Sequence, residues 1–95
     1  MNIKDLHTTE KGVSAIPVFK SDLGNAISIR LLEGEELKEH ITKVKAFLVC
    51  IEGEVIFENE KGESHQLKLG DYVHIEEFVK HKVTANLESH LILVK

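Results

Sequence analysis

Short segments in which apolar and polar residues alternate make up most of the chain. Ile27, Ile29 and Leu31, for example, are separated by single polar residues, which is the period-two pattern of a strand with one buried face. Alternating segments and short continuous apolar runs predict strands at 16–19, 27–31, 37–42, 46–51, 55–57, 66–69, 72–75, 81–85 and 90–94. Many short strands with glycine-containing turns between them are typical of an all-β barrel or sandwich.

Two of these segments allow a second interpretation or restrict the first. Residues 37–42 also fit a helix over 35–46, because Glu and Lys are good helix formers, but the short span and the β-rich surroundings favour a strand. Pro17 cannot donate to a strand ladder, so it restricts the segment 16–19 to a sheet edge or to the start of a strand.

The segment 46–51 is apolar at every position, so both of its faces need to be covered. Alternation along the strand separates two sets of side chains, Ala46, Leu48 and Cys50 on one face and Phe47, Val49 and Ile51 on the other. If the first set faces the interior, the second forms an outer apolar patch that monomers rarely tolerate. The pattern therefore predicts a homodimer joined sheet to sheet through Phe47, Val49 and Ile51.

The length of 95 residues is enough for one domain, because a chain of this size buries only about 60–65% of its surface on folding. Residues 1–15 are polar and lack a sustained period. We expect them to be a loosely ordered lead-in to a single barrel domain over residues 16–95.

Composition excludes several classes of partner. The 16 acidic and 12 basic residues give a net charge of −4, and no basic cluster of the kind that neutralises phosphates is present, so nucleic acid is not an expected partner. No apolar run approaches the roughly 18 residues of a membrane span, and the first residues lack the apolar core of a signal peptide. The single cysteine, Cys50, suits a reducing compartment. We therefore expect a cytoplasmic protein.

Two motifs give the chain a family resemblance. Gly34, His40, Thr42, Ala46 and Gly53 have the spacing of the first motif of the cupin family, in which the corresponding residues are glycine, histidine, histidine, glutamate and glycine. The second histidine and the glutamate of that motif are therefore replaced, by Thr42 and Ala46.

The second cupin motif is matched by Gly70, Glu76, Phe78, His81 and Ala85, where the family has glycine, proline, glycine, histidine and asparagine. The chain resembles small, single-domain cupins, in particular a short subgroup that is depleted in metal ligands and largely lacks an assigned activity. The resemblance implies the cupin-type double-stranded jelly-roll β-barrel. The way in which cupins usually pair also implies that the segment 16–19 crosses to the partner in the homodimer.

In most cupins the histidines and the glutamate of the two motifs hold one divalent metal inside the barrel. Only His40 and His81 match these ligands, and two imidazoles without a carboxylate leave the charge of the ion uncompensated. A thiolate at Cys50 would complete a site suited to zinc or copper, although a buried cysteine usually acts as a small apolar residue. We expect no resident cofactor, with a divalent metal held by His40, His81 and Cys50 as the alternative.

The other histidines and one glutamate have weaker support. His74 lies in a strand of the second motif, where a structural role or a place at the rim is favoured over ligation. Glu76 stands at the mouth of the expected barrel and is predicted to be solvated. His7, His65 and His90 match no motif and are predicted to be surface or strand-edge side chains.

A barrel without metal still provides a concave, mostly apolar pocket with a few polar groups. Its expected lining consists of His40, Thr42, Ala46, Leu48, Cys50, His81 and Val83. The leading hypothesis is a cupin module, non-catalytic or weakly catalytic, that binds a small polar molecule as a homodimer. Two alternatives remain open, a metal-dependent oxygenase or isomerase that uses His40 and His81, and a structural dimerisation domain whose barrel is filled by side chains.

Overall fold

The computed structural model describes residues 1–95 and contains one short 3₁₀ helix, Ile3–Leu6, followed by nine strands. The strands are β1 (Val13–Ser21), β2 (Gly24–Leu31), β3 (Glu36–His40), β4 (Ala46–Glu52), β5 (Val55–Asn59), β6 (Ser64–Leu67), β7 (Tyr72–Ile75), β8 (His81–Ala85) and β9 (Ser89–Val94). The prediction of an all-β fold is confirmed. No helix has the length and apolar character that a membrane crossing requires.

The strands form two antiparallel sheets that pack face to face. The five-stranded sheet has the order β1-β2-β9-β4-β7, and the four-stranded sheet has the order β3-β8-β5-β6. Neighbours in both sheets include strands far apart in sequence, such as β4 with β9 and β3 with β8. This topology is that of a jelly roll.

The core lies between the two sheets and consists of 13 buried apolar residues. Along β4, Ala46, Leu48 and Cys50 are buried in this core, whereas Phe47, Val49 and Ile51 are half-buried on the opposite face. The predicted alternation of this strand is therefore confirmed. It fixes an inner and an outer face for the five-stranded sheet.

Two of the predicted strands end earlier in the structure than the sequence pattern indicates. The strand expected at 66–69 is Ser64–Leu67, because Asp71 donates its backbone N–H to the carbonyl of Lys68 and accepts from Lys68 N through its carboxylate. That turn includes Gly70 at a φ of 86°, a conformation that suits glycine. The strand expected at 37–42 ends at His40.

β1 begins at Val13, inside the segment predicted to be a loose lead-in, and it lies at the edge of the five-stranded sheet, where Pro17 is tolerated. The ladder with β2 shifts its register between Pro17 and Phe19. The segment 16–19 pairs with β2 of its own chain, which satisfies its backbone hydrogen bonds on that side. Its crossing to a partner stays a prediction.

Residues before β1 are also tied to the five-stranded sheet. His7 is only 8% exposed, and its two ring nitrogens form 2.8 Å hydrogen bonds with the hydroxyls of Ser14 and Ser28. The guanidinium of Arg30 donates to the carbonyls of His7, Thr9 and Lys11. The N-terminal segment therefore lies over the outer face of β1 and β2.

This packing corrects the expectation for two histidines. The prediction of a surface position is wrong for His7 and for His90, which is 3% exposed and has its ring centroid 5.5 Å from that of His7. Both are buried because the N-terminal segment covers the outer face at this point. His65 is exposed, as predicted.

Candidate functional site

The two motif histidines meet at one end of the barrel, where β3 ends and β8 begins. His40 and His81 are opposite one another in the antiparallel register, and their ring centroids are 4.2 Å apart at an interplanar angle of 60°. The other side of the His81 ring stacks on Phe57 at 5.7 Å. His81 is 3% exposed, whereas His40 is solvent-exposed, so the pair runs from the core to the surface. We call this end of the barrel the histidine end.

Hydrogen bonds to the backbone fix the tautomer of both rings. The Nδ1 atom of His40 lies 2.8 Å from the carbonyl oxygen of Lys38, and that of His81 lies 3.2 Å from the carbonyl oxygen of Val79. A carbonyl oxygen only accepts hydrogen bonds, so each Nδ1 carries a hydrogen and donates it. In the neutral rings, each Nε2 consequently presents a lone pair.

His81 is held in its neutral form. Burial in the barrel lowers the pKa of His81, its hydrogen bond to the Val79 carbonyl opposes that effect, and the neighbouring His40 lowers the pKa further. At neutral pH, His81 therefore offers a hydrogen-bond acceptor and no positive charge.

The barrel interior next to the histidines is nearly filled. A cavity of about 20 Å³ is lined by Ile29, Leu37, His40, Leu48, Ile75, His81, Val83 and Leu93. This volume is enough for one water molecule. Of the residues predicted to line a ligand pocket, His40, Leu48, His81 and Val83 surround the cavity.

A larger polar pocket of about 420 Å³ lies outside the cavity and shares Ile75 with it. We call it the outer pocket, and it is lined by Lys45, Ala46, Asn59, Glu63, His74, Ile75 and Glu76. Asn59 on β5 is the cross-strand partner of His81, which places the pocket at the histidine end. At the edge of this pocket, the carboxylate of Glu76 forms a 2.7 Å ion pair with Lys61.

The outer pocket includes residues that the motifs do not predict. Lys45 lies directly before β4 and belongs to neither of the two motifs. Asn59 and Glu63 flank the hairpin tip at Gly62, and the side-chain oxygen of Asn59 accepts the backbone N–H groups of Lys61 and Glu63. The turn pattern identifies this hairpin, but it does not show that the hairpin reaches the histidine end.

The loops on either side of the histidine end are joined to each other. The backbone N–H of Phe78 donates to the carbonyl of Thr42 at 2.8 Å, and Phe78 adopts a φ of 62°, which is uncommon for a residue with a side chain. Thr42 is buried and its hydroxyl has no partner. Thr42 lines neither the cavity nor the outer pocket, in contrast to its predicted place in a ligand pocket.

Cys50 does not join the histidines. It shares the inner face of β4 with Ala46, but four residues along a strand correspond to roughly 13 Å. Its Sγ lies 3.4 Å from the carbonyl oxygen of Glu52 at the far end of the strand, and burial raises the pKa of the thiol. The predicted ligand set of His40, His81 and Cys50 is therefore not formed.

The donor set does not fit the metal that the cupin resemblance implies. Ala46 places a methyl group where the family has a carboxylate, and no three side chains among His, Cys, Asp and Glu come together in a metal-binding arrangement. Two neutral imidazoles provide neither the ligand number nor the charge compensation of a typical divalent site.

His74 projects from the outer face of β7. Its ring lies 5.7 Å from both Phe47 and Tyr72, and Phe47 and Tyr72 are 5.2 Å apart. The outer face of the five-stranded sheet thus carries an aromatic group beside Val49 and Ile51. Tyr72, which belongs to this aromatic group, and the neighbouring Val94 are exposed.

Comparisons with known proteins agree with the architecture. Residues 28–94 match the cupin domain family. A cupin superfamily protein from Desulfitobacterium hafniense DCB-2 superposes with a TM-score of 0.87 at 13% identity, over 98% of this chain and 84% of that chain. A cupin-2 domain containing protein from Shewanella frigidimarina NCIMB 400 gives a TM-score of 0.81 at 15% identity, over 100% and 92% of the two chains.

KdgF from Halomonas sp. gives a TM-score of 0.81 at 20% identity, over 93% of this chain and 81% of that chain. No curated protein matches the sequence. Identities this low carry information about the fold alone.

Proposed function

The chain belongs to the cupin domain family, and we propose that it is a binding protein, non-catalytic or weakly catalytic, that takes a small polar molecule at the histidine end of its barrel. The observation that carries this proposal is the histidine pair. Both rings are oriented by backbone carbonyls and leave their Nε2 atoms free, beside a polar pocket of about 420 Å³. Oriented polar groups at a concave site are the usual features of a small-molecule site.

The ligand binds at the mouth of the barrel, outside the core. The inner cavity of about 20 Å³ admits one water-sized group, so most of the ligand occupies the outer pocket. This position replaces the sequence-based expectation of a pocket that extends to Thr42 and Cys50.

The missing carboxylate disfavours the alternative of a metal-dependent oxygenase or isomerase. Ala46 contributes no ligand, and a third donor does not approach His40 and His81. The nearly filled interior instead favours a second candidate, a structural dimerisation domain, since small barrels are often packed by their own side chains.

We further propose that the protein is a homodimer. Phe47, Val49 and Ile51 are half-buried on the outer face of the five-stranded sheet, next to the exposed Tyr72 and Val94. Covering this face with a second copy removes apolar surface from water at about 25 cal/mol per Å².

The test of ligand binding is a thermal-unfolding screen of the purified protein against a collection of small polar metabolites, followed by calorimetric titration of each hit. Ligands that bind the wild type and fail to bind a His40→Ala, His81→Ala double variant support the proposal. A screen without hits, or hits that the double variant retains, contradicts it and favours the structural dimerisation domain.

A further inference from the structure

We infer that the ligand is a neutral polyhydroxylated molecule, one hydroxyl of which donates a hydrogen bond to an Nε2 atom of the imidazole pair of His40 and His81. This inference rests on the proposed function and specifies the chemistry of the same site. It follows from three properties of the histidine end. These are the hydrogen-bonding polarity of the ring nitrogens, the size of the inner cavity and the charge of the outer pocket.

Hydrogen-bond polarity requires a donor on the ligand. Because both Nδ1 atoms donate to carbonyls of the chain, only the Nε2 lone pairs remain, and these accept. The Nε2 atom of His81 has no partner in the protein and is not among the fully buried unpartnered atoms, so it remains open to solvent. A hydroxyl satisfies it, whereas a carboxylate would place an acceptor against an acceptor.

The size and lining of the cavity restrict the group that enters. About 20 Å³ accommodates one hydroxyl in place of a water molecule. Leu48, Val83 and Ile75 form apolar walls around it, and an ion in these surroundings loses its hydration without finding a counter-charge. An uncharged hydroxyl is therefore the preferred group.

The outer pocket favours a neutral remainder. Lys45 and Glu63 line it together with Glu76, which is paired with Lys61, so two cationic and two anionic groups are balanced there. Such a lining offers both hydrogen-bond donors and acceptors, and the charges of these four side chains sum to zero. A molecule with several hydroxyls, each able to donate and to accept, complements it better than an anion or a cation.

The test uses ¹⁵N-labelled wild-type protein at pH 7.5 and long-range ¹H–¹⁵N spectra of the histidine rings. Three probes of similar small size are titrated separately, neutral myo-inositol, cationic ethanolamine and anionic malonate. We expect saturable shifts of the His81 and His40 Nε2 resonances with myo-inositol, at an affinity at least tenfold higher than for the other two probes.

A variant pair assigns the effect to the ring nitrogen. His81→Phe keeps an aromatic ring against Phe57 and removes Nε2, and we expect it to lower myo-inositol affinity at least tenfold. Leu23→Phe, in the fully exposed turn between β1 and β2, serves as the control and is expected to bind as the wild type does. The wild-type Nε2 shifts give an independent readout if His81→Phe does not fold.

The outcomes separate this inference from the proposed function. Tighter binding of malonate or ethanolamine at the histidines overturns the neutral polyhydroxylated class and leaves a ligand site in place. Myo-inositol binding that His81→Phe retains overturns the role of the imidazole pair. Absence of any response to all three probes overturns the inference, and a negative metabolite screen in addition contradicts the ligand site itself.

Discussion

His40 and His81 each donate Nδ1–H to the carbonyl of the residue two positions earlier, Lys38 and Val79 respectively, while facing each other with ring centroids 4.2 Å apart. Each ring is therefore oriented by the backbone two residues before it and does not need a ligand or a metal to hold it. A site whose polar groups are oriented in advance loses less entropy on binding. Because both rings donate through Nδ1, both present Nε2 as a hydrogen-bond acceptor.

The packing of His81 predicts a stability difference between two substitutions. His81 lies between His40 and Phe57 and is buried. His81→Ala removes a buried ring and leaves a cavity, so we expect the free energy of unfolding to fall by about 3 kcal/mol. His81→Phe refills that space and should cost clearly less.

Urea unfolding of the two variants beside the wild type measures this difference. Equal destabilisation by Ala and Phe would contradict a packing role and indicate that the loss arises from the polar atoms of the ring.

Restoring the missing carboxylate should create a metal site. Ala46 lines the outer pocket and stands at the first-motif position of the cupin glutamate. Ala46→Glu adds an anionic oxygen ligand to two imidazoles, a donor set that suits divalent transition metals. We expect this variant to gain about one equivalent of zinc or manganese, measured by elemental mass spectrometry after dialysis.

The matched control is Ala46→Gln, because glutamine has nearly the same volume as glutamate and carries no charge. If the Glu and Gln variants retain the same amount of metal, a carboxylate at residue 46 is not what the site lacks.

Attachment of the N-terminal segment should depend on pH. Burial lowers the pKa of His7, assisted by the nearby His90 and Arg30, and burial likewise lowers the pKa of His90, where Glu52 and Glu88 oppose the effect and Lys4 and Arg30 add to it. Because the folded pKa values lie below the usual 6.5, both groups stabilise the attached state above pH 6.5. This stabilisation is lost as the pH falls below that value.

Hydrogen exchange of the amides of residues 3–14 between pH 8 and pH 5, corrected for intrinsic rates, measures this attachment. Protection should fall below pH 6.5 in the wild type. In His7→Gln it should be lower at pH 8 and nearly independent of pH, whereas the exposed His65→Gln should behave as the wild type. Protection in the wild type that does not change over this range would refute the titration of His7 and His90.

The outer face of the five-stranded sheet predicts the effect of a charge at residue 47. Phe47 packs against Tyr72 and His74, and an aspartate in its place would bury a charge in the proposed interface. We expect Phe47→Asp to raise the dimer dissociation constant about 30-fold or more, which corresponds to the loss of one anchor residue worth about 2 kcal/mol.

Leu23→Asp provides the control, because Leu23 is fully exposed in the β1–β2 turn. Light scattering over a concentration series should detect dimers of the wild type and of Leu23→Asp, and monomers of Phe47→Asp. Dimers that persist in Phe47→Asp would place the interface elsewhere.

The sequence pattern predicts on which face of a strand a residue lies, but it does not predict the distance between residues of different strands. Alternation along β4 identifies the inward position of both Ala46 and Cys50, and the motif spacing brings His40 and His81 to one place. The period of a strand gives no information on which end of the barrel a residue reaches. The pattern alone therefore groups Cys50 with His40 and His81, although the length of β4 separates it from them.

Long-range packing explains the other differences. The burial of His7 depends on hydroxyls of Ser14 and Ser28 on two neighbouring strands, and no local pattern links these three residues. The filled interior depends on the combined volumes of side chains from both sheets, which alternation does not determine. Homodimerisation and cytoplasmic location stay predictions.

Elemental mass spectrometry of the tag-free wild-type protein shows whether His40 and His81 act as hydrogen-bonding side chains without a resident metal. The protein is incubated with iron, manganese, nickel, copper and zinc and then dialysed, in parallel with the His40→Ala, His81→Ala double variant. We expect far less than one metal per chain in both proteins. Near-stoichiometric metal in the wild type that the double variant loses would contradict it.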